Sequence, residues 1–300
     1  MRSTSIWRRA SASASPPPRQ LSPLPKTDSI AVTGAGGQVG TLLCEQLADR
    51  KAKVLALDRN ADWGEPIRSA GVVVHLAGTL QPKRGDSYES ANVRTSEVVA
   101  EAARDAGLRR IVFLSYVGAA ADSANAYLRA KARAEEVLVD SGVPTTVFRC
   151  LHIYGPPERP GPTAEAFLVK GRRPVTVPGN GRQRIAPLYV GDVVGAVLAA
   201  ATDPDAPTGC FELGGPDEMT MNQFVAVLNH GQGRMRNLPA PLARIAARLS
   251  PALTPALIDL LICDNVTAAD PNRVGAEFGF TPRRFADVWG AASSRSADDD

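Results

Sequence analysis

The chain has 300 residues, room for two ordinary domains or one large domain with an added lobe. Apolar types make up 44% and charged types 22%, an ordinary globular composition, and a net charge of +3 is too small to imply nucleic acid or an anionic membrane. The longest apolar stretch, Val193 to Ala201, is far short of the roughly 18 to 20 residues of a membrane span. Cys44, Cys150, Cys210 and Cys263 are scattered without a Cys-x-x-Cys pair, and three histidines offer little for a metal. The expectation is no metal, no disulfide framework, no membrane span, and a reduced, cytoplasmic setting.

Residues 1–28 read as a disordered leader. Up to Thr27 they hold no acid, five basic residues, six Ser and five Pro. No apolar core follows the basic start, which argues against a secretory signal. Their Arg- and Ser-rich character resembles a transit peptide and leaves a mitochondrial location as the alternative, against which the Pro cluster counts. Strands are then expected at Ser29 to Thr33, Lys53 to Leu57, Val72 to Leu76, Arg110 to Ser115 and Thr145 to Arg149. Helices fall between them at Gln38 to Arg50, Tyr88 to Ala106 (Val98, Val99 and Ala102 inward) and Ala124 to Asp140. This alternation predicts an α/β fold, a parallel sheet covered on both faces. Residues 29–213 form the dinucleotide-binding domain, with 156–182 on the substrate side. Residues 214–290 form a smaller C-terminal substrate lobe, and 291–300 a disordered tail.

The run Thr33-Gly-Ala-Gly-Gly-Gln-Val-Gly40 leaves the first strand and opens the first helix. One glycine permits the turn, a second lets backbone approach a pyrophosphate, and a third lets helix lie close on strand. The helix start offers unpaired N–H groups to the phosphates. Asp58, ending the second strand 24 residues after Gly34, is placed to accept the adenosine ribose hydroxyls. It favours NAD. Arg59 leaves NADP as second choice, because it can hold a 2′-phosphate or lie over the adenine. Tyr127 and Lys131 share one helix face at i, i+4, where the ammonium favours the phenolate and can reach a ribose hydroxyl.

Together these residues resemble the short-chain dehydrogenase/reductase superfamily in its extended or atypical branch, which includes epimerases and dehydratases. The resemblance runs from about Ser29 to Phe285. It rests also on His75-Leu-Ala-Gly78, Asn92-Val-Arg-Thr95, Arg149-Cys-Leu-His-Ile-Tyr-Gly-Pro156, Tyr189-Val-Gly-Asp-Val193 and Phe211-Glu-Leu-Gly-Gly215. The chain is also similar to the group of the nucleotide-binding accessory subunit of respiratory complex I, through the short Ser115-to-Tyr127 spacing and Asp264-Asn265-Val266. The resemblance implies a Rossmann-type doubly wound sheet. It also implies a cofactor held by Gly34, Ala35, Gly37, Gln38, Val39, Gly40, Asp58, Arg59, Leu76, Ala77, Gly78, Lys131, Cys150 and Leu151. Catalysis would fall to Tyr127, Lys131 and Ser115, with Tyr116 and His152 facing a small-molecule substrate; a homodimer is left open.

Two departures stand out. Tyr116 replaces the second hydroxyl residue after the strand, leaving Ser115 as the only hydroxyl for a substrate carbonyl. Cys150 replaces the usual Pro. A third concerns architecture: only 13 residues, Arg59 to Gly71, separate Asp58 from the next strand. That predicts a missing third strand, a second strand at the sheet edge, and an adenine site lacking one wall. Trp63 would cover part of that site or pack on the connector's surface. Arg109 and Arg110 read as solvated. Arg172, Arg173 and Arg182 read as loop cations, and the apolar helices Leu242 to Leu249 and Leu253 to Ile262 as lobe core. Two function classes remain: hydride exchange at a secondary alcohol or ketone with Tyr127 as acid/base, and a nucleotide-loaded scaffold without turnover.

Overall fold

The computed structural model describes residues 29–59, 61–82, 85–249 and 253–290. The leader and tail expectations therefore lie outside the described residues. The chain divides into two units. The first holds the residues up to Arg149 together with Val193–Glu212 and Arg273–Thr281; the second holds Cys150–Asp192, Leu213–Asn272 and the residues from Pro282. This division interleaves the chain more than a single boundary at 213 would, since 150–192 groups with the second unit and 273–281 with the first.

The first unit is an α/β sheet. Strand β1 (Ile30–Thr33) leads through the glycine turn to helix α1 (Gln38–Asp49) and β2 (Val54–Leu57). A short helix α2 (Gly64–Arg68) precedes β3 (Val72–His75). A π-helical turn, Glu89–Arg94, runs into α3 (Thr95–Ala106), followed by β4 (Arg110–Tyr116), α4 (Ala126–Asp140) and β5 (Thr145–Cys150). With β10 (Gly209–Leu213) these strands form a six-stranded sheet in the order β10-β5-β4-β3-β1-β2. The pairs β1–β2, β1–β3 and β3–β4 are parallel. β1 and β3 are buried throughout, as continuous apolar runs in a covered parallel sheet must be.

β2 is the edge strand. Between it and β3 the described residues contain α2 and no strand, as the 13-residue spacing requires. The burial of β2 follows: of its four residues only Leu57 is fully covered. Trp63 is a correction to one expectation. It is buried beside Ile67 in the core cluster with Val73 and Val99, rather than lying on the connector's surface. Val98 is a second correction. The buried stripe of α3 follows Ser96, Val99, Ala100 and Ala103, and this leaves Val98 exposed.

Arg110 is a third. It is buried, and its guanidinium donates to Thr146 Oγ1 (3.0 Å) and to the carbonyls of Pro204, Ala206 and Pro207 (3.3, 2.7 and 3.3 Å). Those carbonyls lie in the turn after α6 (Val190–Thr202), outside helix and strand, so a buried cation with several donors is their partner.

The second unit is built of short pieces: β6 (Ile153–Tyr154) with β9 (Leu188–Tyr189), β7 (Val175–Pro178) with β12 (Met235–Leu238), and β8 (Arg184–Ile185) with β11 (Met219–Thr220). Helices α5 (Gly161–Glu165), α7 (Met221–Leu228), α8 (Ala240–Leu249), α9 (Pro255–Ile262) and α11 (Phe285–Trp289) surround a core of Tyr154, Phe224, Ile258, Phe285 and Trp289, and α10 (Pro271–Phe278) carries the chain back to the first unit before α11. Thr220 closes a capping box on α7 with Gln223. α9 is lobe core as expected. α8 is so only through Ala243 and Ala247, while its large apolar side chains are exposed.

Candidate functional site

A cavity of about 460 Å³ opens in the first unit, where the carboxyl ends of β1, β2 and β3 meet. Its walls are Gly34, Gly36, Gly37, Asp58, Arg59, Trp63, Leu76, Ala77, Gly78, Asp86, Ser90, Ala91 and Thr95. Gly34 has φ +70°, and a Cβ there would sit 2.8 Å from Ala77 N, so conformation and close approach both demand glycine. A Cβ on Gly40 would collide with Gly34 O, which is the close helix-on-strand contact expected of the third glycine. A Cβ on Gly36 would meet nothing within 4 Å, so that face of the turn is open.

The start of α1 is electrostatically unfinished. Gly37 caps it without a side chain, and no acid occupies its first turn. Gln38 Nε2 is a buried donor with no partner among the described residues. An open backbone turn, free helix N–H groups and an orphaned donor suit an anion. At the far side Trp63 Nε1 donates to Asp58 O (2.7 Å), fixing the end of β2. Arg59 pairs with Asp86 at 3.6 Å, and both line the cavity. Asp58 itself is exposed at the cavity rim.

Behind the cavity a hydrogen-bond relay ties three elements together. Ala77 N–H donates to Thr33 Oγ1 (3.3 Å), which lies 2.7 Å from His75 Nδ1. His75 Nε2 lies 3.1 Å from Ser96 Oγ, and Ser96 donates its own proton to Asn92 O (2.8 Å). Because Ser96 has given its proton away, it accepts from His75, and the ring is the neutral Nε2–H tautomer with Thr33 donating to Nδ1. Burial, with the Lys131 charge adding, pushes His75 down to about 3 and keeps it neutral. Phe113 stacks on the ring at 5.3 Å and Trp63 meets it edge-on at 6.1 Å.

Lys131 and Tyr127 are buried on one face of α4, whose start is capped by Asn125 Oδ1. Lys131 Nζ donates to Leu114 O (2.7 Å) and lies 4.5 Å over the Phe113 ring. It also sits 3.4 Å from where a Cβ on Gly78, a residue of the cavity wall, would be. Asn92 Oδ1, beside the same point, is a buried acceptor without a partner among the described residues. The Tyr127 ring packs edge-on between Tyr88 (6.0 Å) and Tyr116 (5.8 Å).

Ser115, expected to orient a substrate carbonyl, has a carboxylate as its partner. Its hydroxyl donates to Glu135 Oε1 at 2.5 Å. Glu135, buried one turn beyond Lys131, is gripped by Arg149 through Nε (2.9 Å) and Nη2 (2.6 Å). A hydroxyl has one proton to give, and here a carboxylate takes it. Ser115 could polarise a carbonyl only by leaving Glu135.

Of the expected cofactor residues, the structure gathers Gly34, Gly37, Asp58, Arg59, Leu76, Ala77 and Gly78 around the cavity. Ala35, Val39 and Gly40 are buried behind the turn. Cys150, Leu151 and His152 are buried residues of the second unit. His152 N–H donates to Asn265 Oδ1 (3.3 Å), and burial pushes its ring down to about 4. Sequence reasoning missed Gly36, Asp86, Ser90, Ala91 and Thr95 in the cavity wall. The run Asn92 to Thr95, which carried part of the family resemblance, was the signal for this stretch of wall, and the π-helical turn Glu89–Arg94 there supplies Ser90 and Ala91; Asp86 left none.

The model of the NAD dependent epimerase/dehydratase family matches residues 30–214. The chain belongs to that family. It is 30% identical over 249 residues to the mitochondrial NADH dehydrogenase [ubiquinone] 1 alpha subcomplex subunit 9 of Arabidopsis thaliana, covering 72% of this chain and 61% of that protein. It is 32% identical over 176 residues to the UDP-2-acetamido-2,6-beta-L-arabino-hexul-4-ose reductase of Pseudomonas aeruginosa, covering 55% of this chain and 47% of the reductase. The chain thus spans about half to three-fifths of these relatives. Its fold is that of the UDP-glucuronic acid 4-epimerase of Bacillus cereus, with TM-score 0.66, 17% identity, and coverage of 87% of this chain and 95% of the epimerase.

Proposed function

We propose that this chain binds NAD in the cavity of the first unit and exchanges hydride with a secondary alcohol or ketone, Tyr127 serving as acid and base. The observation that carries this reading is the placement of Tyr127 and Lys131 together on α4, with Lys131 Nζ 3.4 Å from the Cβ position of Gly78, a residue of the cavity wall. Gly34, Gly36 and Gly37 would receive the pyrophosphate and Asp58 the adenosine ribose. Bound NAD would supply the hydride acceptor or donor. Lys131 holds a ribose hydroxyl and favours the phenolate of Tyr127. The Tyr127 hydroxyl gives its proton to the carbonyl oxygen during reduction and recovers one from the alcohol during oxidation.

A second reading, a nucleotide-loaded scaffold, is favoured by the bond from Ser115 to Glu135 and by Tyr116 in the place of a second hydroxyl. One experiment separates them. NADH affinity is measured by calorimetry, and turnover is followed by nicotinamide absorbance across alcohols, ketones and nucleotide sugars, for wild type and Tyr127→Phe. The enzyme predicts equal affinity and a loss of roughly 10² to 10⁴ in turnover. Activity that survives Tyr127→Phe defeats the mechanism. NADH binding with no turnover on any substrate selects the scaffold.

A further inference from the structure

Helix α8 packs inside out. It buries the small side chains Ala243 and Ala247, whereas Leu242, Ile245 and Leu249 are 53%, 52% and 82% exposed. Their i, i+3, i+7 spacing makes one apolar stripe. With Met235 on β12 they are four of the six large apolar side chains exposed among the described residues. The same stretch is basic. Residues 231–249 contain Arg234, Arg236, Arg244 and Arg248, all exposed, and no Asp or Glu. Arg244 turns to Asp259 on α9 (2.8 Å). The whole-chain charge of +3 hides this asymmetry, because acids elsewhere balance it.

We propose that this face of the second unit rests on an anionic lipid surface, with Leu242, Ile245 and Leu249 entering the acyl boundary and Arg248, on the same helix, meeting the headgroups, while the other arginines of residues 231–249 add to the attraction at longer range. A helix lying in the interface needs an apolar stripe and cationic neighbours, and small contributions from each suffice. Three side chains offer a few hundred Å² of apolar patch, whereas an ordinary protein partner covers about 800 Å² on each side. A second copy docked face to face would set these arginines against their own images. The acidic tail, residues 291–300, contains no large apolar side chain with which to cover the stripe.

The test is flotation of the full chain with vesicles of phosphatidylcholine alone, or mixed with phosphatidylglycerol. Wild type should float with the mixed vesicles only and be released by salt. Leu242→Ser with Ile245→Ser, and separately Arg248→Glu, should each lower the bound fraction about tenfold or more. NADH affinity, read on the other unit, should stay unchanged. Leu249→Ser, at the most exposed position, serves as a further variant should the double change unfold the lobe. The proposal is overturned if wild type floats with neither vesicle, or if the variants float as wild type does. Self-association abolished by the apolar changes, without vesicle binding, would also overturn it and mark a contact between copies.

Discussion

The substitution His75→Asn tests whether the site is held by a histidine kept neutral. The ring accepts from Thr33 and donates to Ser96, and the shorter asparagine side chain would leave one of these buried hydroxyls unmatched. The cost near neutral pH should be about 1–3 kcal/mol. The pH dependence is the sharper signature. The folded ring is pushed down to about 3 from an ordinary value of 6.5. Its folded pKa is depressed, so its contribution is complete above the unfolded value and is lost as pH falls from about 6.5 towards 3. Between pH 7 and pH 5 the unfolded chain gains about 0.7 of a proton that the folded chain refuses, a loss of about 2 kcal/mol in wild type. The variant lacks this contribution, so the gap between the two proteins should narrow by about 2 kcal/mol over that interval. His152 and Asp192, which burial shifts down to about 4 and up to about 6, are common to both and cancel. Hydrogen exchange of peptides covering β1 and β3, corrected for intrinsic rates, reads the first unit alone. A gap that does not change with pH would refute the neutral relay.

Three further outcomes follow from the same geometry. Gly36→Val should leave thermal stability unchanged, because its Cβ meets nothing, yet weaken NADH binding at least about tenfold; equal affinity by calorimetry removes the phosphate from this turn. Asp86→Asn should release Arg59 from its ion pair and raise NADPH affinity relative to NADH by about tenfold, and an unchanged ratio in paired titrations would show that the pair does not set preference. Arg110→Met should destabilise the first unit by about 2–5 kcal/mol, because the carbonyls of Pro204 and Ala206 lose the guanidinium while Pro207 O keeps Thr146 Oγ1; a urea-melting change under about 1 kcal/mol would count against this role.

The sequence alone determined the features whose physics is local. The glycine turn, Asp58 at the end of β2 and the pairing of Tyr127 with Lys131 depend on short spacings along single elements. The edge position of β2 was legible from an arithmetic limit, since 13 residues cannot hold another strand and its crossovers. Only the tertiary structure decided what distant groups share. Ser115 finds Glu135 across 20 residues, and Arg110 reaches Ala206 across 96. His75 is neutral because the folded core buries it beside the Lys131 charge, where β1 and α3 supply its partners, and α8 faces outward because Ala243 and Ala247 are what its neighbours cover. Hydrogen bonding is short-ranged and directional, so an assignment of donors to acceptors exists only once the chain has folded them together. Residue type told which protons could be given, and packing chose who received them.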